Sequence, residues 1–443
     1  MSPNSSAGYL QASSSTLVAS QRAPSCGHEH IELSTRDLVN RSASTIQSPI
    51  IDRVEVTDTV PEGGYGWVVV AGFFSVGWTY SWGVIQAKLY DEHLANNSTL
   101  SFIGSISISF IALGAIVNGR VIRFLGTRYA ALLACCLLGI GQILSSFCTK
   151  SVPGLFITNG LVTCATLPAQ YFKRKRGLAN GLVYGGAGVG GAVLSVALDA
   201  MINSLGIAWA FRITGISILI LTIPAALVLK DRTRRAFATI EWTLFRDPKF
   251  DLLCLGSAIA TFPLLVPPFF IPLYATSLGI SSTISSVLLA TFNISSGLGR
   301  VGFGLLCDIT GPITSLVLSL VMSALSILAI WPASTSLPPL AVFIILNGLG
   351  NGGFFSTVPS VVSHVYGPHR VTTVLAMVLT AWAAGYILGS PIAGWLLELY
   401  GGSDAGIAAY RPAMYYAGSL SLGSAGIVSG VRYLVSRPLF SFA

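Results

Sequence analysis

The sequence predicts an all-α membrane protein with twelve transmembrane helices arranged as two six-helix halves. Hydrophobic residues make up 53% of the 443 residues, charged residues make up 9%, and the mean hydropathy is +0.73. A soluble chain of this length needs more polar surface than that composition supplies. Uncharged runs of about 20 residues, the length that crosses a bilayer, recur along the chain, and one short motif occurs twice.

The repeated motif combines two glycines with a charged residue, directly after an uncharged run in each half. Its two copies are Gly119-x-x-x-Arg123-x-x-Gly126 and Gly304-x-x-x-Asp308-x-x-Gly311. Parallel halves that repeat such a unit are typical of transporters whose halves rock about a central site. The repeat therefore favours a transporter over other classes of membrane protein.

Uncharged runs give six spans in each half. In the first half they lie at 68–87, 100–119, 129–149, 151–172, 177–198 and 213–229. In the second half 252–299 and 309–363 are each twice the needed length, with turn-like stretches at 276–283 and 332–339, and 371–397 and 412–431 follow. Glycines are dense in the fifth span, as expected where helices approach closely in lipid.

The fourth span is short. Its stretch from Gly160 to Tyr171 is shorter by about two helical turns than the repeat-related stretch from Gly348 to Tyr366. Two explanations fit the sequence equally. Either this helix is distorted, or the deduced sequence has lost a segment at an exon edge.

Composition divides the chain into four parts. Residues 1–60 contain twelve serines and few aromatic residues, so we expect a disordered cytoplasmic tail. The six-helix halves then cover 61–230 and 251–443, with a cytoplasmic linker at 231–250.

Lysine and arginine predict the orientation. Thirteen of them follow the second, fourth and sixth spans, whereas the opposite loops hold only Lys88, Lys150 and Arg411. Such residues stay preferentially in the cytoplasm, so both termini are predicted to be cytoplasmic. The net charge of +8 then reflects membrane topology, and no nucleic-acid partner is expected.

The sequence has no paired carboxylates, nucleophile motif or ligand cluster that would indicate an enzyme. We expect no cofactor and no metal. The expected partners are the lipid bilayer and a small organic solute, and the expected functional unit is a monomer.

Three motifs resemble the monocarboxylate porter family of the major facilitator superfamily. They are Pro61-Glu62-Gly63-Gly64-Tyr65-Gly66-Trp67, the basic turn Gln170 to Ala179, and Asn293 to Gly311. The resemblance implies the major facilitator fold, with twelve helices in two six-helix halves, and secondary transport of small organic acids or related metabolites. We expect the protein to lie in the plasma membrane. The serine-rich tail and short central loop are most similar to fungal members.

The repeated motif is expected to act as a conformational latch. Gly119 and Gly304 are predicted to turn the chain tightly, and the residue four positions later to cap or pair with a neighbouring helix end. The first copy has Arg123 where the superfamily usually has an acid, whereas Asp308 keeps the acid. The alternative is that both charges only set the membrane topology.

Arg300 is the leading candidate for substrate binding, because an arginine inside a span is costly unless it is paired or faces water. The resemblance also gives this position an anion-binding role; a structural bond to helix carbonyls is the alternative. Seven further candidates could line the cavity, although each could equally be a packing or interhelical residue. They are Asn159, Asn347, Asn293, Gln86, Tyr80, Trp382 and Tyr386.

The proton relay of animal members is not visible. Their lysine in span one falls at about Val84, and their acidic residue before the arginine falls at Ser296. Coupling to protons would need Asp199, Glu398 or His364. The expected function is secondary transport of a small organic anion, or of an acidic or phenolic metabolite, by alternating access, with export of a fungal secondary metabolite as the first hypothesis. Uptake of a monocarboxylate or vitamin-like solute, or a non-transporting sensor on the same fold, are the alternatives.

Overall fold

The computed structural model describes residues 77–162, 178–228 and 240–435. Within these ranges the regular structure is entirely helical, which confirms the all-α prediction. The first six helices are α1 (Trp82–Asp91, preceded by helical residues 77–80), α2 (Asn97–Leu125), α3 (Thr127–Ser145), α4 (Val152–Leu155, continued as a π-helix over Phe156–Val162), α5 (Leu178–Leu205) and α6 (Ile207–Val228).

Six more helices follow in the predicted order. They are α7 (Pro248–Leu264 and Val266–Ser277), α8 (Ser282–Thr310), α9 (Pro312–Leu325, with a π-helical turn over Ser326–Ile330 and a short end over Trp331–Ala333), α10 (Leu337–Gly367), α11 (Arg370–Leu399) and α12 (Arg411–Val435). The predicted breaks at 276–283 and 332–339 are confirmed, because α7 ends at Ser277 and the α9 segment ends at Ala333.

In the described part of the chain, eight helices are long and apolar enough to cross a membrane: α2, α3, α5, α6, α7, α9, α10 and α11. Of the remaining four, α1 and α4 adjoin residues outside the description. The other two, α8 and α12, are 29 and 25 residues long, and polar side chains such as Asn293 and Arg300 in α8 reduce their hydropathy. The chain is therefore a multi-pass membrane protein.

The chain turns at the last glycine of each repeated motif, so the prediction that Gly119 and Gly304 make the turns is wrong. Gly119 lies inside α2 and Gly304 inside α8. The left-handed backbone occurs at Gly126 (φ 80°) and Gly311 (φ 84°). A side chain is disfavoured in this conformation, which commonly ends a helix, whereas a glycine inside a helix keeps the ordinary helical φ. The Gly311 N–H donates to the Cys307 carbonyl and closes the last turn of α8 (3.1 Å).

Helix α7 begins at Pro248, inside the predicted linker 231–250. The Asp247 side chain caps it by accepting from the Lys249 backbone N–H (3.0 Å), and proline fits the first turn because no intrahelical bond needs its missing N–H. The tail 1–60, the motif at 61–67, the end of span four (163–172) and the basic turn after it lie outside the described residues.

The two halves meet most extensively along two helix pairs, α2 with α11 and α5 with α8, and α1 also packs against α7. Small residues bring the second pair close together. A Cβ at Gly188 of α5 would overlap the Asn293 carbonyl oxygen of α8, so a larger residue there would push the helices apart. This agrees with the packing role expected of glycines in the fifth span.

Candidate functional site

Arg300 lies on α8 with only 2% of its surface exposed. Its Nη2 donates a hydrogen bond to the Tyr80 hydroxyl (3.1 Å). The guanidinium carbon also lies 5.4 Å from the centre of the Tyr80 ring and 5.0 Å from that of Phe355 on α10. Stacking on aromatic faces stabilises a guanidinium removed from water.

The rings continue from Phe355 onto α11. The ring centre of Phe355 lies 6.2 Å from that of Trp382. The ring centre of Trp382 also lies 6.3 Å from that of Tyr386 and 5.0 Å from that of Phe354. Tyr80 meets Phe355 edge-on at 6.3 Å. We call these six residues the Arg300 cluster: Tyr80, Arg300, Phe354, Phe355, Trp382 and Tyr386.

The Arg300 cluster joins the two halves. Tyr80 belongs to the first half, and the other five residues come from α8, α10 and α11 of the second. The hydrogen bond from Arg300 to Tyr80 therefore spans the boundary that must move in alternating access. Four predicted site residues, Arg300, Tyr80, Trp382 and Tyr386, are brought together here.

Asn293 takes part in a separate contact between the halves. Its Nδ2 donates to the Ser195 hydroxyl on α5 (3.3 Å), which donates to the Ser81 hydroxyl (3.2 Å). Ser81 in turn donates to the Gly191 carbonyl (3.0 Å). Asn293 thus connects α8 to α5 and to the start of α1.

The other predicted polar residues contact helices of their own half. Asn159 on α4 accepts from Gln142 on α3 (3.0 Å). Asn347 on α10 donates to Ser326 at the end of α9 (2.9 Å). The two asparagines therefore make the corresponding contact in each half, from the fourth helix to the third. This geometry favours the interhelical alternative for them.

Gln86 resembles these asparagines. Its Nε2 donates to the Ser101 hydroxyl (2.9 Å), which connects α1 to α2. It is fully buried. The described contact lies within the first half.

The latch residues are described only in part. The Asp308 side chain is exposed at the end of α8. The Arg123 side chain lies outside the described residues, so the predicted difference between the two copies stays a prediction. Gly126 and Gly311 form the turns described above.

At the opposite ends of α2 and α8, further bonds join the halves. The Glu398 carboxylate at the end of α11 accepts from the Ser98 backbone N–H in the first turn of α2 (3.0 Å). Asn203 of α5 donates to the Ser282 hydroxyl of α8 (3.3 Å). Nearby, Asp199 and Lys88 line a small crevice with Ser285. Of the other coupling candidates, His364 is exposed.

Sequence analysis missed several residues of these contacts: Phe354, Phe355, Ser81 and Ser195. The two phenylalanines follow Gly352-Gly353 in an apolar run, and nothing in that pattern distinguishes a ring facing lipid from one facing a guanidinium. The serines are small and common in this chain. The sequence offers only an indirect signal, the dense glycines of the fifth span; the close pairing of α5 with α8 that brings Ser195 beside Asn293 is seen in the structure alone.

A helical bundle whose two halves meet around a buried arginine is typical of a secondary transporter. Residues 67–251 and 253–439 match the model of the Major Facilitator Superfamily, and the chain belongs to that family. It is thus a transporter and not an enzyme.

Curated relatives from fungi share about a quarter of their residues with it. The MFS transporter asaE of Aspergillus flavus is 27% identical over 85% of this chain and 91% of its own length. The aspyridones efflux protein apdF of Emericella nidulans is 28% identical, over 78% of this chain and 75% of its own. The agnestins efflux protein AgnL12 of Paecilomyces divaricatus is 26% identical over 74% and 79%.

Solved structures show the same fold. A crystal structure of a mutant of the nucleoside transporter NupG superposes with a TM-score of 0.67. The alignment covers 83% of this chain and all of that one, at 13% sequence identity. At that identity the likeness concerns the fold alone.

Proposed function

We propose that this transporter exports a ring-containing organic anion, such as an acidic or phenolic fungal secondary metabolite, across the plasma membrane. Within the superfamily, its motifs favour the monocarboxylate porter family. The single observation that carries the proposal is the buried Arg300 guanidinium, which lies against the rings of both Tyr80 and Phe355 at the junction of the halves. The guanidinium would bind the anionic group of the substrate, and the neighbouring rings would stack against its aromatic part.

Tyr80 gives the site a way to respond to substrate. In this conformation its hydroxyl accepts a hydrogen bond from Arg300 across the two halves. A carboxylate or phenolate binds the planar guanidinium more strongly than a neutral hydroxyl, because charge-assisted bonds are about twice as strong as neutral ones. The substrate would therefore replace Tyr80 on Arg300 and release one contact between the halves.

The fungal relatives support export. Two of them are named as efflux proteins for aspyridones and agnestins. Cytoplasmic termini and a plasma-membrane location complete the proposal. The bias of lysine and arginine toward one set of loops supports the first of these.

The test is flux through the purified full chain in proteoliposomes. A panel of radiolabelled aromatic and aliphatic acids would be loaded on one side, and their movement measured with and without a pH gradient. We expect saturable flux of aromatic acids above that of aliphatic acids of equal charge. Preference for aliphatic acids would contradict the aromatic assignment, and absence of flux for every acid would favour a sensor.

A further inference from the structure

We infer that the indole N–H of Trp382 is a second recognition group, which donates a hydrogen bond to a carbonyl or similar acceptor carried by the ring of the transported anion. This inference rests on the proposed function, because it concerns the same site. It narrows the substrate class from aromatic anions in general to those with an acceptor remote from the charge.

The first observation is the environment of the indole. Trp382 is 4% exposed, and its Nε1 has no hydrogen-bond partner among the described residues. The indole ring packs beside Phe354 (5.0 Å between ring centres). The Trp382 backbone is also bonded, because Thr261 on α7 donates to its carbonyl (3.2 Å). Leaving a buried donor without a partner costs free energy. A ligand that accepts a hydrogen bond from this N–H would remove that cost and so bind more tightly.

The second observation is position. An unpaired indole alone does not define a site, because the Nε1 of Trp331 also lacks a partner among the described residues. That ring stacks on Phe343 at 4.7 Å, in the packing between α9 and α10. Trp382 differs because it belongs to the Arg300 cluster.

Phe355 connects the two polar groups. Its ring lies 5.0 Å from the guanidinium carbon of Arg300 and 6.2 Å from the ring of Trp382. A substrate ring that takes the place of Tyr80 would lie along Phe355, with its anionic group on Arg300. A substituent on the far side of that ring would then reach toward the indole.

Ser296 is the competing donor. It lies one turn before Arg300 on α8, and its buried hydroxyl also has no partner among the described residues. We favour Trp382 because Ser296 is on the same helix and close to the charge, whereas the indole approaches from α11. A variant of each residue separates the two.

The experiment compares two probes that differ in one acceptor, 4-acetylbenzoate and 4-isopropenylbenzoate. They have the same shape and charge, but only the first has a carbonyl oxygen. Binding to the purified full chain would be measured by isothermal titration calorimetry. We expect the wild-type protein to bind the acetyl probe about ten-fold more tightly, as one recovered hydrogen bond to a buried donor predicts.

Trp382→Phe should remove this preference by weakening the acetyl probe alone, whereas Ser296→Ala should retain it. Trp331→Phe is the matched control, since it also removes a buried unpaired indole, and it should keep the preference. Equal wild-type affinities for both probes, no measurable binding of either, or a preference that survives in Trp382→Phe would overturn the inference.

Failure of the proposed function gives a different result. If Arg300→Gln binds both probes as tightly as the wild type, Arg300 is not the anion site. The comparison of the two probes on wild-type protein and on Trp382→Phe would still show whether the indole recognises the acetyl group. If Trp382→Phe does not fold, the comparison of the two probes on the wild-type protein still decides whether an acceptor is recognised.

Discussion

Buried polar residues in this protein divide by the helices they connect. Arg300 and Asn293 bond to residues of the opposite half, whereas Asn159 and Asn347 bond within their own. Contacts between halves must change during transport, and contacts within a half need not. The partner of a polar side chain thus separates residues of the transport cycle from residues of the scaffold.

Asn347→Ala tests this division. Its side chain donates to Ser326 and to both oxygens of Ser323, and an interhelical hydrogen bond in a membrane is worth about 0.6 to 2 kcal/mol. We expect a lower melting temperature for the purified protein and an unchanged apparent affinity for substrate. A large change in affinity with normal stability would place Asn347 in the substrate path.

The sequence predicts Arg300 but only part of its surroundings. An arginine in an uncharged run is conspicuous because of its cost in lipid. Tyr80, Trp382 and Tyr386 are candidates that the sequence cannot distinguish from packing residues, and Phe355 is missed. Which face of a helix a ring occupies depends on the neighbouring helices, and no single-chain pattern contains that information.

At the scale of elements, glycines determine where helices end. The predicted breaks between spans agree with the structure because prolines and glycines mark them. The turn within the repeated motif is misplaced at its first glycine, since all the glycines of the motif are compatible with helix or turn until the backbone is known. Gly311 has the left-handed conformation, and Gly304 does not.

Gly311→Ala should therefore destabilise the protein. A Cβ at the φ of 84° and ψ of 150° found at Gly311 costs on the order of 1–3 kcal/mol, because essentially only glycine adopts this region. The matched control is Gly423→Ala in α12, where an added Cβ would meet no atom within 4 Å and alanine is the better helix former. We expect a lower melting temperature for the first variant and an equal or higher one for the second. Equal melting temperatures for Gly311→Ala and the wild type would show that the turn relaxes without cost.

At the scale of the whole molecule, the hydrogen bonds between the halves in the described part of the chain lie at the centre and at one end. The end contacts involve Asn203 with Ser282, and Glu398 with Ser98. Alternating access requires that this end opens. A covalent bond across it should stop the cycle.

The variant with Asn203→Cys and Ser282→Cys tests that requirement. Both side chains are exposed and their polar atoms lie 3.3 Å apart. We expect oxidation to abolish flux and reduction to restore it, with each single cysteine variant unaffected by the oxidant. Full flux in the cross-linked protein would mean that this end does not open.

The orientation of the bundle is open to a direct test. Thirteen lysines and arginines on one set of loops, against three on the other, predict that the linker lies inside the cell. An epitope tag at residue 235 should be protected on intact cells, and a tag at residue 403 should be exposed. Labelling of the tag at 235 on intact cells would show that the predicted orientation is wrong, and the proposed direction of export would then be wrong as well.

The most direct test of the account is the transport of an aromatic acid by Arg300 variants in proteoliposomes. Arg300→Lys keeps the charge but loses the planar fork that grips an anion at two points, so we expect at least about ten-fold weaker apparent affinity with normal insertion. Arg300→Gln should abolish the preference for anions over neutral analogues. If both variants insert normally and transport the acid with unchanged affinity, Arg300 is structural and the organic-anion assignment is wrong.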